Sequence, residues 1–446
     1  MGSVSRRAFI RTAAVAVAGV AVAACGGAAP TATPVPAAKP AATTAPAAAA
    51  TAVPAAGATV TLEQWYHEYG EKGCQEAVMR IASDYNKSQS KIKVNVTWNP
   101  GDYATKRDTA LAAGTGPDVY ESSLDISRVR NKQVVALDDL FPADIKADFD
   151  PKSLALDTLE GKIYGVQMII DTGLIYYRKS MLDKAGVKIP TTFEELTAAA
   201  KTLASGRVKG MFLGNDGGTI MRDQNGWAAG VTFIDANNKL LFNTPQLAEA
   251  WTKAKDFSNS GSLLVGSPTD WWDPGAFVQG LCARCWGGLW MMPEVQRQIG
   301  DDFTVTQWLP VSTAGGTPRG STFWGGWHTF VNGQSKYIPQ SKEFVKWQWI
   351  DNKDWQNEWA SAYGFHVPPR KSAAAANAKF TSGNPKTAKD GLYQFGWSNG
   401  PMWDGAMGTA VGDAYNNIVK NNKDAKSEIQ TAFDKCQAEL DRQLKG

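Results

Sequence analysis

Along residues 60–113 the hydrophobic period of the chain switches repeatedly. Val60, Leu62 and Gln64 alternate with Thr61 and Glu63, which predicts a strand. Val78, Ile81, Ala82 and Tyr85 then fall on one helical face. Ile92, Val94, Val96 and Trp98 alternate with Lys93, Asn95 and Thr97 as a second strand, and a second helix through Tyr103–Ala113 ends at Gly114. Strand, helix, strand, helix at this spacing predicts a wound sheet and an α/β fold class. Farther on, Thr192 and Glu195 form a capping box ahead of Phe193, Leu196, Ala200 and Leu203, with Gly206 placed to close that helix. Ile429, Phe433, Cys436 and Leu440 make one stripe of a last amphipathic helix.

The first 57 residues follow none of these periods. Ser5-Arg6-Arg7-Ala8-Phe9-Ile10-Arg11 precedes an uncharged stretch from Thr12 to Ala24, then Val22-Ala23-Ala24-Cys25. Paired arginines before a short apolar run resemble a twin-arginine export signal, and small residues ending on cysteine resemble a lipobox. The apolar run is short of the about 20 residues that span a bilayer. Residues 1–25 therefore read as a signal peptide and Cys25 as the lipidated first residue of an extracytoplasmic, membrane-anchored protein; an ordinary signal peptide with a chance cysteine is the alternative. Residues 26–57 are almost wholly Ala, Pro, Thr and Val, with Lys39 the one charge. Such a segment buries too little to fold and reads as a disordered stalk. With 4 of the 46 basic residues and none of the 43 acidic ones in residues 1–57, the body is near neutrality. That balance argues against a nucleic-acid partner.

The body, from Ala58, is long enough for two lobes. Three passages in it carry a family resemblance: Ala113-Gly114-Thr115-Gly116-Pro117-Asp118-Val119-Tyr120; Leu159 to Val166 with Asp171 to Lys179, Ala185-Gly186 and Pro190 to Leu196; and Phe277-Val278-Gln279-Gly280 through Gly288-Leu289-Trp290. Together they resemble the extracellular solute-binding proteins of ABC importers, in the carbohydrate-binding group that includes maltose-binding protein. The resemblance implies a two-lobed periplasmic-binding-protein-like fold with a solute cleft between hinge-linked lobes, and ABC permease subunits as partners of a monomer. Crossings are expected near Ile169–Leu174 and Phe323–Phe330. The N-lobe would then hold residues 58–168 plus 328–375, and the C-lobe residues 169–327 plus 376–446.

A cleft for sugars needs flat apolar faces for pyranose C–H groups and polar groups for the hydroxyl rim. Unpaired buried hydroxyls cost about 1–3 kcal/mol each. Of 17 tryptophans, 15 lie after residue 220, many beside glycine or polar residues. Ligands of open α/β sheets sit beyond the carboxyl ends of strands. That rule, with the resemblance, makes Trp65, Tyr66, Tyr120, Glu121, Asp171, Asp216, Trp272, Trp290, Trp327 and Arg370 the candidate ligand-binding residues. His67 and His328 adjoin two of them. Trp347, Trp355 and Trp359 read as helix packing, Asp118 as a cap on the turn that follows it, and Arg370 equally as half of a structural ion pair.

Glu121 and Asp171 could serve as a glycosidase acid–base pair. No nucleophile motif, phosphate loop or metal-ligand spacing accompanies them, so a non-enzyme without cofactor or metal is the expectation. The leading reading is a saccharide binder for import. Its alternatives are a binder of a polyamine, glycerophosphodiester or other organic solute, and a secreted carbohydrate-active enzyme. Cys74, Cys282, Cys285 and Cys436 leave two pairings open, Cys282–Cys285 and Cys74–Cys436.

Overall fold

The computed structural model describes residues 59–445. The signal peptide, the stalk and the lipidation site read at Cys25 lie outside the described residues.

Among the described residues eight strands build the two larger sheets. They are β1 (Val60–His67), β2 (Ile92–Asn99), β3 (Val119–Ser122), β4 (Gly165–Gln167), β5 (Gly173–Arg178), β6 (Arg284–Gly288), β7 (Phe303–Thr306) and β8 (His328–Val331). The first sheet runs β2-β1-β3-β8-β4, and the second β6-β5-β7. β1 pairs in parallel with β2 from Val60↔Ile92 to His67↔Asn99, and with β3. β8 is antiparallel to both β3 and β4, and β5 is antiparallel to β6 and β7. The wound α/β arrangement is thus a mixed sheet.

The predicted periods map onto these elements. Val78, Ile81, Ala82 and Tyr85 are the buried face of helix Cys74–Ser88. They pack with Leu62, Phe344, Trp349, Trp355 and Trp359 into the core of the first sheet. Gly114, with φ of 69°, follows the helix Tyr103–Ala112 in the left-handed conformation that suits glycine. Helix Phe193–Leu203 starts as expected, with the Thr192 hydroxyl accepting from the Glu195 amide at 3.2 Å; the Glu195 carboxylate reaches Thr191. It ends at Leu203, and Gly206 belongs to the turn that brings Ser205 back to Val208. Ile429, Cys436 and Leu440 are buried on helix Ala425–Lys445.

The chain leaves the first sheet after Gln167, enters the second at Gly173 and rejoins the first at His328. Three extended segments meet at this crossing. Ile170 pairs with Val367, and Asp171 pairs with Gly325. Gly326 follows with φ of 120°, and a Cβ there would lie 2.0 Å from the Ile169 carbonyl oxygen. The two backbones can approach this closely only at a residue without a side chain.

Asp118 is structural, but it caps no turn. It accepts from the Glu63 amide at 2.9 Å and from the Ser335 hydroxyl at 2.5 Å, tying β1 to the segment after β8. The four cysteines of the described residues are free, buried thiols. Burial pushes Cys436 up to about 12 and Cys282 higher still, so neither is a ready nucleophile.

Candidate functional site

A cavity of about 930 Å³ opens where the two sheets face each other at the crossing. Each wall grows from the carboxyl ends of strands. β1 ends on His67, and Glu68, Tyr69 and Glu71 follow it; after β2 comes Gly101, and after β6, Trp290. The crossing supplies Ile169, Asp171, Gly326, Trp327 and His366, and a loop on the second-sheet side supplies Trp271 and Trp272.

Aromatic rings line both walls. On the first-sheet side Trp327 stacks on His67 with centroids 4.0 Å apart, and its other neighbour is the Tyr103 edge at 6.2 Å. Opposite, Trp271 lies 5.1 Å from Trp286 and 5.8 Å from Trp290. The Trp290 indole N–H donates to the Trp272 carbonyl at 2.9 Å, which fixes the loop that carries Trp271 and Trp272. Trp272 itself is 55% exposed, an unusual cost for an indole unless something covers it.

The floor and rear wall are ionic. Glu121, at 1% exposure on β3, accepts from the backbone and ring N–H groups of His67 and from the Tyr69 hydroxyl at 2.8 Å. Burial, then the Glu121 charge, raises the Tyr69 phenol well above its ordinary value, so Tyr69 stays neutral. His366 lies between two carboxylates, Glu71 at 2.6 Å and Asp171 at 3.2 Å. Asp171 also accepts from the Thr172 amide at 2.8 Å and the Leu289 amide at 3.2 Å. This chain of contacts runs from the loop after β1 to the segment after β6, across the crossing.

Burial would push the His366 imidazole down, but Asp171 and Glu71 outweigh it and raise it to about 10. A group raised in the folded state stabilises fully below its unfolded value of 6.5, and that stabilisation is lost as pH climbs through about 10. The urea midpoint should therefore fall between about pH 7 and pH 10.5. His366→Gln should be less stable at neutral pH and flatter across this window; equal slopes in the two proteins would refute the pairing.

The ten residues singled out from sequence divide. Asp171, Trp272, Trp290 and Trp327 line the cavity, and Glu121 stands directly behind His67. Trp65 and Tyr66 were expected beyond the end of β1, but the strand runs on to His67. Tyr66 consequently points into the core at 1% exposure, and Trp65 turns outward beneath Lys106, 5.3 Å from its ring. Tyr120 likewise lies within β3, at 1% exposure, and its hydroxyl donates to the Gln133 carbonyl at 2.9 Å. Asp216 caps its own turn by accepting from the amides of Gly218 and Thr219. Arg370 faces away from the cavity, paired with Asp148 at 2.9 Å and donating to the Ile350 carbonyl at 3.0 Å. Arg370→Ala should thus cost about 2–3 kcal/mol of stability in a denaturant titration while leaving ligand affinity unchanged. A tenfold affinity loss with unchanged stability would reverse that assignment.

His328 is buried in the sheet against Asp157 at 2.8 Å, not beside the cavity. Trp324 and Trp403 pack internally, against Tyr393 and against Phe233 and Phe242. Sequence reasoning did not place Glu71 or His366 in the site. They are 295 residues apart, and no local pattern joins them.

Comparison with known proteins gives a consistent picture. The profile of a family described as bacterial extracellular solute-binding protein matches residues 80–391. The arabinooligosaccharide-binding protein of Bacillus subtilis is 25% identical over 293 residues, covering 61% of this chain and 65% of that protein. A putative ABC transporter periplasmic-binding protein of Escherichia coli is 23% identical over 248 residues, covering 53% of this chain and 57% of that protein. The chain thus spans less than two thirds of the length of these curated relatives. Among solved structures, an ABC transporter solute-binding protein from Thermotoga lettingae, bound with alpha-D-tagatose, superposes with a TM-score of 0.73 at 18% identity, covering 86% of this chain and 100% of that one. The GacH receptor of Streptomyces glaucescens gives a TM-score of 0.71 at 20% identity, covering 86% and 99%. At these identities the structural likeness establishes the fold, a periplasmic-binding-protein-like arrangement of mixed α/β content.

Proposed function

We propose, from the premise that this chain belongs to the bacterial extracellular solute-binding protein family, that it captures a saccharide for an ABC importer. One observation carries the reading: indole rings project into a single cavity from both sides of the crossing. A sugar ring held between Trp327 and the Trp271–Trp290 group makes contacts on both walls only when the walls approach. Those contacts shift the population toward the closed form. The named specificities of relatives, an arabinooligosaccharide in one and tagatose in another, support the same ligand class.

In this reading residues 58–168 plus 328–375 move as the N-lobe against 169–327 plus 376–446 as the C-lobe. A monomer delivers the ligand to permease subunits, tethered outside the cell membrane through lipidated Cys25 and the 26–57 stalk. Catalysis has no part in it: Glu121 is consumed by His67 and Tyr69, and Asp171 by His366 and two backbone amides. Titration of mono- and oligosaccharides against tryptophan fluorescence and melting temperature tests the proposal. Binding of one of them should shift both signals, and silence across a broad panel would refute the saccharide assignment.

A further inference from the structure

The charged side chains of the cavity are unevenly divided in sign. Glu68, Glu71 and Asp171 line it, whereas its lining holds no Lys, Arg, Asn or Gln. Lys72, the nearest lysine along the chain, is exposed and lies outside that lining. Some donors are engaged, while the indole N–H groups of Trp271, Trp272 and Trp327 remain available to a ligand hydroxyl. His366 Nε2 bonds Glu71 while its Nδ1 lies 3.2 Å from Asp171, His67 uses Nδ1 on Glu121, the Tyr69 hydroxyl donates to Glu121, and the Trp290 N–H donates to a backbone carbonyl.

An ionised carboxylate only accepts, a sugar hydroxyl both donates and accepts, and an ammonium only donates. A wall that carries carboxylates and no lysine or arginine therefore attracts an ammonium by charge, an attraction a neutral hydroxyl does not share, and opposes a second carboxylate. The indole faces of Trp271, Trp272 and Trp327 add attraction for a cation, strongest where water is excluded. Charge gives the same sign. Four carboxylates, including Glu121, surround the site, and even with both histidines protonated two negative charges are left over.

We infer that the cleft selects a saccharide bearing a protonated amine over its neutral counterpart and rejects one bearing a carboxylate. This rests on the saccharide reading above and narrows it to a substrate class.

Isothermal titration of the full-length protein against matched sugars on gluco, galacto and manno backbones, each as amine, N-acetyl, neutral and uronate forms, tests the inference. In any set that binds, the amine should bind at least tenfold tighter than the neutral and N-acetyl forms, with no measurable uronate binding. Salt at roughly 0.5 M should narrow the gap, because exposed charges are screened at that ionic strength. Glu68→Gln, at an exposed rim position outside the hydrogen-bonded floor, should shrink the preference about threefold. A neutral form that binds as tightly as the amine overturns the charge selection and leaves the saccharide reading intact. Spermidine bound while no sugar binds overturns both.

Discussion

Trp327→Ala should weaken ligand binding by roughly thirtyfold, about 2 kcal/mol, with little change in fold. Trp327 is half-buried, and its ring is held between His67 at 4.0 Å and Tyr103 at 6.2 Å. It is therefore preorganised, and a ligand docking on it pays little further ordering entropy. Trp290→Ala should act from the other wall with similar force, because it removes both a ring and the N–H that anchors the Trp272 carbonyl. If ligand bridges the two walls, the double variant should lose less than the sum of the singles, since either loss alone already weakens closure. Isothermal titration with the best-binding sugar decides this, with circular dichroism as the control for folding. An affinity within twofold of the parent for both single variants would remove the indoles from the site. Tyr66→Phe gives the contrast: its hydroxyl is buried against Gln64 and Gln348, so it should touch stability and not affinity.

The largest effect on stability is expected at Gly326. An alanine there would be forced to hold φ of 120° and to place its Cβ 2.0 Å from the Ile169 carbonyl oxygen and 3.3 Å from the Asp171 nitrogen. Both neighbours are backbone, so no side chain can swing aside. Strain of about 1–3 kcal/mol adds to an overpacking cost of similar size, giving a loss of about 3–5 kcal/mol. Gly161→Ala is the calibrating variant: it has φ of 77° and nothing within 4 Å, so it reports the conformational cost alone. Urea titration should put Gly326→Ala well below Gly161→Ala. Because Trp327 and Asp171 flank the shifted segment, Gly326→Ala should also weaken binding. Equal stability of the two variants would mean that the crossing gives way easily.

These positions show what could be read from the chain and what could not. Element type was legible wherever one face of a helix or strand is buried, as for Val78–Tyr85 or Ile429–Leu440, because burial imprints its period on the residues. Strand length was less so. His67 is a half-polar residue on a strand that looked finished at Gln64, so the residues aimed at the cleft lie one or two positions beyond Trp65 and Tyr66. Tyr120 failed in the same way. Trp272 and Trp327 were legible because each sits in a loop beside glycines or acids, and Trp290 because it follows Gly287-Gly288 at the end of a strand, where a packing role is hard to satisfy. The Glu71–His366–Asp171 chain was not, since its members come from three distant stretches and only the crossing assembles them.

The position of β8 has a consequence for how this protein comes to be made. It lies between β3 and β4, yet it follows all of the second sheet in the chain. A ribosome that has released residues up to 320 has therefore produced a sheet with a gap in its middle. Helix Ala425–Lys445, which packs on Gly405–Asn421 and Pro245–Ser258, comes later still. The first sheet therefore cannot close before β8 emerges, and until then nascent chains carry unpaired strand edges, the interval in which a holding chaperone has most to protect.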